Sequence, residues 1–193
     1  MKVIIAFLCM PFLPLHLMFY FVFRKRCIDD VRVNLKQSNI RINSIVGFVY
    51  LIIYNRTFRN LFLWRIGVCK YLLVNLYPSP HPSFTIATHM KLGPGMTCIH
   101  PFATIVNAES IGKGFVVLNN VTVGNNKSGE RPIIGDNVRI NANAVVIGKI
   151  VIGNNAIIGA GSVVTKSIPD NCVVVGNPAF ILKENGVIVK RPL

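Results

Sequence analysis

From residue 86 onward, aliphatic positions recur every six residues. They run Ile86, Leu92 and Cys98, then resume after a step of seven at Ile105, Ile111, Val117 and Val123. After a longer gap they continue as Ile134, Ile140, Val146, Ile152, Ile158 and Val164. The fourth position after many of these is also apolar or small: Phe115, Val121, Val138, Ala144, Ile150, Ala156, Ser162 and Ile168. Glycine often follows the aliphatic residue, as in "IGKG", "VGNN", "IGDN" and "IGAG". Neither the helical period of about 3.6 nor strand alternation of two produces this spacing. A six-residue period with turn residues at fixed phase predicts a parallel β-helix. Each hexad supplies one short strand and a corner, and three hexads close a coil. The inward residue then stacks on its equivalent one coil away: Val123 on Ile105, Ile152 on Ile134, Ile158 on Ile140. Gly and Asn at the corners tolerate the positive φ that a sharp turn needs.

The first half has a different pattern. Residues 3–23 contain no charged residue and are bounded on the C-terminal side by "RKR" at 24–26. That length matches the roughly 20 residues that cross a bilayer, although Pro11, Pro14 and His16 equally suit an interfacial or re-entrant segment. If it spans, "RKR" keeps the rest of the chain on the cytoplasmic side. Residues 28–80 predict amphipathic helices, with "SIVGFVYLIIY" and "RNLFLWRIGVCKYLLVNLY" as their apolar faces and Arg56, Arg59, Arg65 and Lys70 between. The proline-rich "YPSPHPS" at 77–83 closes this half. The predicted organisation is a hydrophobic, basic helical region over 1–83, a β-helix domain over 84–168, and a C-terminal tail or cap over 169–193, where Pro169 interrupts strand pairing.

Composition sharpens the picture of partners. Lys and Arg number 21 against 7 acidic residues, for a net charge of +14, and mean hydropathy is +0.52. Eleven of the basic residues precede position 80, among apolar and aromatic neighbours. This distribution points to a membrane surface contacted through residues 1–80. No zinc-finger spacing, RNP-type stretch or lysine-rich arm is present, so nucleic acid is not an expected partner. Packing against a partner subunit is the alternative for the helical half. Five scattered cysteines without a CxxC pair suit a reducing compartment and predict neither disulfide framework nor zinc site. The expected location is cytoplasmic, with attachment to the inner face of the membrane as its extension.

The stretch "TIVNAESIGKG…NNVTVGNN…IIGDNV…GAGSVVTKSIPDNCVVVGNPAFILK" resembles the hexapeptide-repeat acyltransferases. Within them, "IHPFATIVNAESIGKG" before "VTVG", a loop and "PIIGDNV" is most similar to serine acetyltransferases, over about residues 84–183. The resemblance implies a left-handed coil, an exception to the right-handed crossover rule. It also implies homotrimers, acetyl-CoA as donor, and sites in grooves between subunits. Acetyl transfer to an alcohol needs a base near the hydroxyl and a donor near the thioester oxyanion. Of four histidines, His100 alone coincides with the break in the repeat, and it aligns with the family's catalytic histidine. The resemblance assigns Thr165 and Lys166 to the adenosine 3′-phosphate and pantetheine arm of acetyl-CoA. It matches Ala142 and Ala160 to small residues beside that arm, and Lys183 to a basic position of the C-terminal segment. The loop between Val123 and Ile134 is placed to wall the groove, with Lys127 and Arg131 adding charge, or is a tolerated insertion.

On the acceptor side the chain departs from the pattern. Ile99 stands where these enzymes carry an Asp before the histidine, and Thr85 where a second Asp orients it. Glu130-Arg131-Pro132 replaces the Arg-His-Pro that grips the serine carboxylate. Ile99 cannot pair with an ammonium group, so a sugar hydroxyl of a surface polysaccharide competes with L-serine as acceptor. Two other classes are weighed. A zinc β-helix enzyme needs three histidines, and only His89 and His100 are available. A non-catalytic scaffold or membrane-associated trimer needs no base at all.

Overall fold

The computed structural model describes residues 10–73, 81–126 and 129–193, and the chain divides into two units, Met1–Pro82 and Ser83–Leu193. Among the described residues the first contains four α-helices: α1 Leu13–Val22, α2 Arg24–Gln37, α3 Ser44–Tyr54 and α4 Arg56–Arg65. Two asparagines start the last two helices. Asn43 Oδ1 accepts from the Ile45 and Val46 amides at 3.1 and 2.9 Å, and Asn55 Oδ1 accepts from the Phe58 amide at 2.9 Å. Each satisfies amides that a helix start leaves open, worth about 1 kcal/mol. The core is aromatic: Tyr20 stacks on Phe48 at 4.4 Å, and Phe62 meets Phe48 edge-on at 4.9 Å. Gly47 lets α3 approach α2, because a Cβ there would run into the Leu35 side chain.

Two of the arginines set between the apolar faces are buried. Arg65 grips Asp30 with Nε–Oδ2 at 2.7 Å and Nη2–Oδ1 at 3.1 Å. Arg59 donates through Nη1 to the Ile52 and Ile53 carbonyls at the end of α3. Helical spacing marks a face but not which long side chain folds back to satisfy a helix end. The apolar leader breaks as well. α1 ends at Val22, about 15 Å of helix, half of a hydrocarbon core. Among the described residues no helix is long and apolar enough to cross a membrane. Residues 3–9 of the leader and 74–80 of the connector lie outside the described residues.

The second unit is a parallel β-helix with three faces. The first face stacks Phe84–Ile86, Thr104–Val106, Thr122–Gly124, Val145–Ile147 and Val163–Val164. The second stacks Lys91–Leu92, Ser110–Ile111, Ile133–Ile134 and Val151–Ile152. The third stacks Thr97–Cys98, Val116–Val117, Arg139–Ile140, Ile157–Ile158 and Cys172–Val175. Two antiparallel strands, Phe180–Glu184 and Val187–Pro192, extend the third face. The expected stacks of Ile152 on Ile134 and Ile158 on Ile140 both form. Phe115, Val121, Val138, Ala144, Ile150, Ala156, Ser162 and Ile168, the fourth-position residues, are all buried. The corners approach so closely that a Cβ on Gly93 would lie 2.5 Å from the Gly112 carbonyl carbon.

Two expectations change. Val123 pairs with Val106 rather than Ile105, which pairs with Thr122 instead. Ile105 is 48% exposed while Val106 is fully buried. The step out of Cys98 is therefore eight residues, and the next step, to Ile111, is five. Two adjacent β-branched residues satisfy a six-residue template equally well, and only the length of the corner decides which turns inward. Pairing also continues past Pro169, because Cys172–Val175 lies parallel to Ile157–Ile158. Pro169 sits exposed at a corner, where the ladder asks for no N–H.

Candidate active site

The corner that leads from the third face to the first recurs in every coil, and in three of them four residues separate the strands. These are 118–121, 141–144 and 159–162. In the coil containing His100 the corner runs over 99–103, one residue longer, and the inward residue of the next strand comes one place later. Both His100 (φ 48°) and Ala103 (φ 49°) are left-handed there. For residues with a Cβ this costs about 1–2 kcal/mol each, so the surroundings must hold the shape. They do so at three points. The Phe102 amide donates to the His100 carbonyl at 2.6 Å, closing a three-residue turn, and Pro101 is buried beneath it. The Asn120 amide donates to the Phe102 carbonyl at 2.7 Å. Buried Thr104 places Oγ1 3.1 Å from the Phe102 and Leu118 carbonyls, to one of which its single O–H donates. The His100 side chain is left exposed on the outside of this clamp.

Backbone bonds trace one edge of the column downward from that histidine. Asn120 is bonded to Phe102, Asn143 to Asn119 at 3.1 Å, and Gly161 to Ala142 at 2.9 Å. Asn120 Nδ2 also donates to Asn143 Oδ1 at 2.9 Å. His100, Asn120, Ala142 and Ala160 thus occupy successive coils of the same edge. With about 4.8 Å between strands, His100 and Ala160 are roughly 14 Å apart along it. The asparagine pair between them is a feature that a search for catalytic groups passes over. Its signal in the sequence is asparagine in the fixed phase where a left-handed residue is needed.

Thr165 and Lys166 lie elsewhere. Both are exposed at the next edge, between the first and second faces, as are Asn125, Asn126 and Gly129 of the loop that follows the first-face strand Thr122–Gly124. Lys166 Nζ donates to the Leu193 carbonyl at 2.7 Å. Lys183 stands on the antiparallel strand opposite Val173. Within one chain, then, His100, Ala142 and Ala160 share an edge, while the residues matched to the phosphate do not join them. In the loop, Arg131 reaches Glu109 at 3.9 Å and Glu130 reaches Lys149 at 3.2 Å. Lys127 lies outside the described residues. Thr85 is exposed on the first face opposite Ile105, and Ile99 is half-buried. Among the described residues no group of three or more His, Cys, Asp or Glu is placed to hold a metal ion. Cys27, Cys69, Cys98 and Cys172 are free thiols. Burial pushes the Cys27 thiol up to about 12, with Asp30 adding to the effect.

Comparison with known proteins agrees with this architecture. Residues 131–166 match the family described as bacterial transferase hexapeptide (six repeats). A serine acetyltransferase of Synechococcus elongatus is 38% identical over 103 residues, covering 51% of this chain and 42% of the relative. The chain spans about half the length, or less, of the curated relatives it matches. Among solved structures, Neisseria gonorrhoeae serine acetyltransferase in complex with serine superposes with a TM-score of 0.67 at 27% identity. That superposition covers 84% of this chain and 70% of that one. A serine acetyltransferase in complex with CoA shares the fold at a TM-score of 0.66 and 23% identity, over 82% of this chain and 69% of that one. The chain carries hexapeptide repeats wound in the left-handed parallel β-helix fold and is similar in sequence and structure to serine acetyltransferases.

Proposed function

We propose that the protein is an acetyl-CoA-dependent O-acetyltransferase in which His100 is the general base. The observation that carries this reading is the lengthened corner, which spends two left-handed residues to present an exposed imidazole at the head of the Ala142–Ala160 edge. In the proposed reaction, His100 takes the proton of the acceptor hydroxyl as its oxygen attacks the thioester carbonyl carbon. The tetrahedral intermediate collapses by breaking the C–S bond, and the protonated imidazole returns the proton to the CoA sulfur. The small side chains of Ala142 and Ala160 let the pantetheine arm lie along the edge. Lys166, with Thr165, meets the adenosine 3′-phosphate, and Lys183 adds charge nearby. Because these groups sit on different edges of one column, the active species is a homotrimer in which a neighbouring column completes the groove.

The relatives' names support L-serine as acceptor. Ile99 cannot pair with an ammonium group, Thr85 brings no carboxylate to orient a histidine, and the Glu130-Arg131-Pro132 loop lacks a histidine; together they support a sugar hydroxyl. The helical unit, with eleven basic residues against two acidic ones, supports a location at the cytoplasmic face of a membrane. Thiol release from acetyl-CoA, screened with serine and with sugars, tests the reading. Turnover with at least one hydroxyl acceptor is expected in the wild type, and His100→Ala should abolish it while the β-sheet circular dichroism is kept. A chain that neither binds CoA nor turns over any acceptor is a scaffold instead.

A further inference from the structure

The helical unit is basic in an uneven way. Arg59 and Arg65 are committed internally, and its two acids are already engaged, Asp30 by Arg65 and Asp29 by Arg32 at 3.3 Å. What remains outside is cationic. At the turn between α2 and α3 it gathers around an open hollow of about 650 Å³. Arg32, Lys36 and Arg41 line it together with the apolar Leu35, Ile40 and Ile42. No acidic side chain lines it, and Lys36 and Arg41 make no ion pair among the described residues. Beside the hollow, Ile42, Ile45 and Val46 are exposed at 42, 41 and 51%. The Asn43 cap fixes the first turn of α3, so these three aliphatic residues are held in one short segment rather than on a loose loop. The end of α1 repeats the combination, with exposed Met18, Phe21 and Val22 running into exposed Arg24, Lys25 and Arg26.

Aliphatic residues bordering a cationic hollow are a poor match for water and for a second copy of this chain. Water leaves the apolar rim unburied, and a second copy sets like charge against like. An anionic phospholipid surface satisfies both parts at once. We propose that the α2–α3 turn docks on such a surface, with Ile42, Ile45 and Val46 entering the acyl boundary and Arg32, Lys36 and Arg41 holding lipid phosphates. This rests on the proposed membrane location and is independent of the acetyl-transfer chemistry, which resides in the other unit.

Sedimentation of the full chain with phosphatidylglycerol-containing vesicles, against pure phosphatidylcholine vesicles, tests it. Binding to the anionic vesicles alone is expected, weakening as salt rises. R32E/K36E/R41E should lower that binding by on the order of tenfold or more. Ile45→Ser with Val46→Ser, which leaves the charge intact, should weaken it too. Arg41→Gln guards against a misfolded triple variant, and circular dichroism is recorded for each. Unaltered vesicle binding by both the triple and the apolar variant would show that another segment is responsible and sink the proposal. So would equal binding to phosphatidylcholine, binding of inorganic phosphate without binding of vesicles, or a concentration-dependent dimer abolished by the same substitutions. Thiol release with a soluble acceptor, run in parallel, separates the two readings. Its failure in a wild type that binds vesicles counts against the transferase alone.

Discussion

At the scale of the residue, the proposed site depends on how one imidazole is held. Among the described residues the His100 ring has no hydrogen-bond partner of its own chain, so its position comes from the backbone of the corner. Thr104 is the side chain that fastens that backbone. Thr104→Val keeps the shape and removes the hydroxyl, and with it the hydrogen bond to the Phe102 or Leu118 carbonyl. A loss of about 1–2 kcal/mol is expected in urea unfolding, together with a lower kcat as the ring wanders. A kcat unchanged from wild type would show that the corner holds His100 without Thr104. His16 gives a second residue-level prediction. It is buried, with Nδ1 2.8 Å from the Phe12 carbonyl. Burial holds its pKa below the usual 6.5, the hydrogen bond to Phe12 opposes this, and the Arg59 charge adds to it. The unfolded chain therefore takes up a proton near pH 6.5 that the folded chain refuses. The stability that His16 contributes is full above that pH and falls as pH drops through it. The fall in melting temperature between about pH 7.5 and pH 5.5 should be smaller in His16→Gln than in wild type; equal falls would exclude His16 as the source.

At the scale of the element, the six-residue period made the column legible, because every strand needs an inward aliphatic residue and every corner a residue that tolerates positive φ. The stacks through Ile134 and Ile152, and through Ile140 and Ile158, come from spacing alone. Spacing failed where two β-branched residues stand side by side. Ile105 and Val106 are both plausible inward residues, and the choice belongs to a corner whose length the periodicity cannot supply. The lengthened corner around His100 was legible for the same reason that Val106 was not, since a break in the period marks where to look but not how the break is resolved. The fate of Arg59 and Arg65 was illegible for another reason, as both find partners on a different helix. The register is testable. Val106→Ala should cost about 1–3 kcal/mol, because it empties part of a fully buried stack. Ile105→Ala should stay within about 0.5 kcal/mol in the isolated column. The reverse order in urea midpoints would restore the seven-residue step.

At the scale of the whole molecule, the question is how residues on two edges of one column would serve the one reaction proposed. His100 heads the edge that carries Ala142 and Ala160, whereas Thr165 and Lys166 lie across the first face on the next edge. The outer surfaces of the column carry exposed aliphatic residues in register, as where Ile133 pairs with Val151 on the second face. Rows of this kind suit columns packed side by side, and closed rotational symmetry sets one edge of each against a different edge of its neighbour. In the proposed trimer, each groove takes His100 from one subunit and Lys166 from the next. That arrangement predicts complementation. Neither His100→Ala nor Lys166→Glu should be active alone at low acetyl-CoA. When the two are unfolded together and refolded at equal amounts, roughly a quarter of the grooves by random assembly pair an intact His100 with an intact Lys166. Thiol release should recover to about that fraction of wild type. A site built within one chain gives no recovery, since every chain in the mixture then lacks one of its two groups.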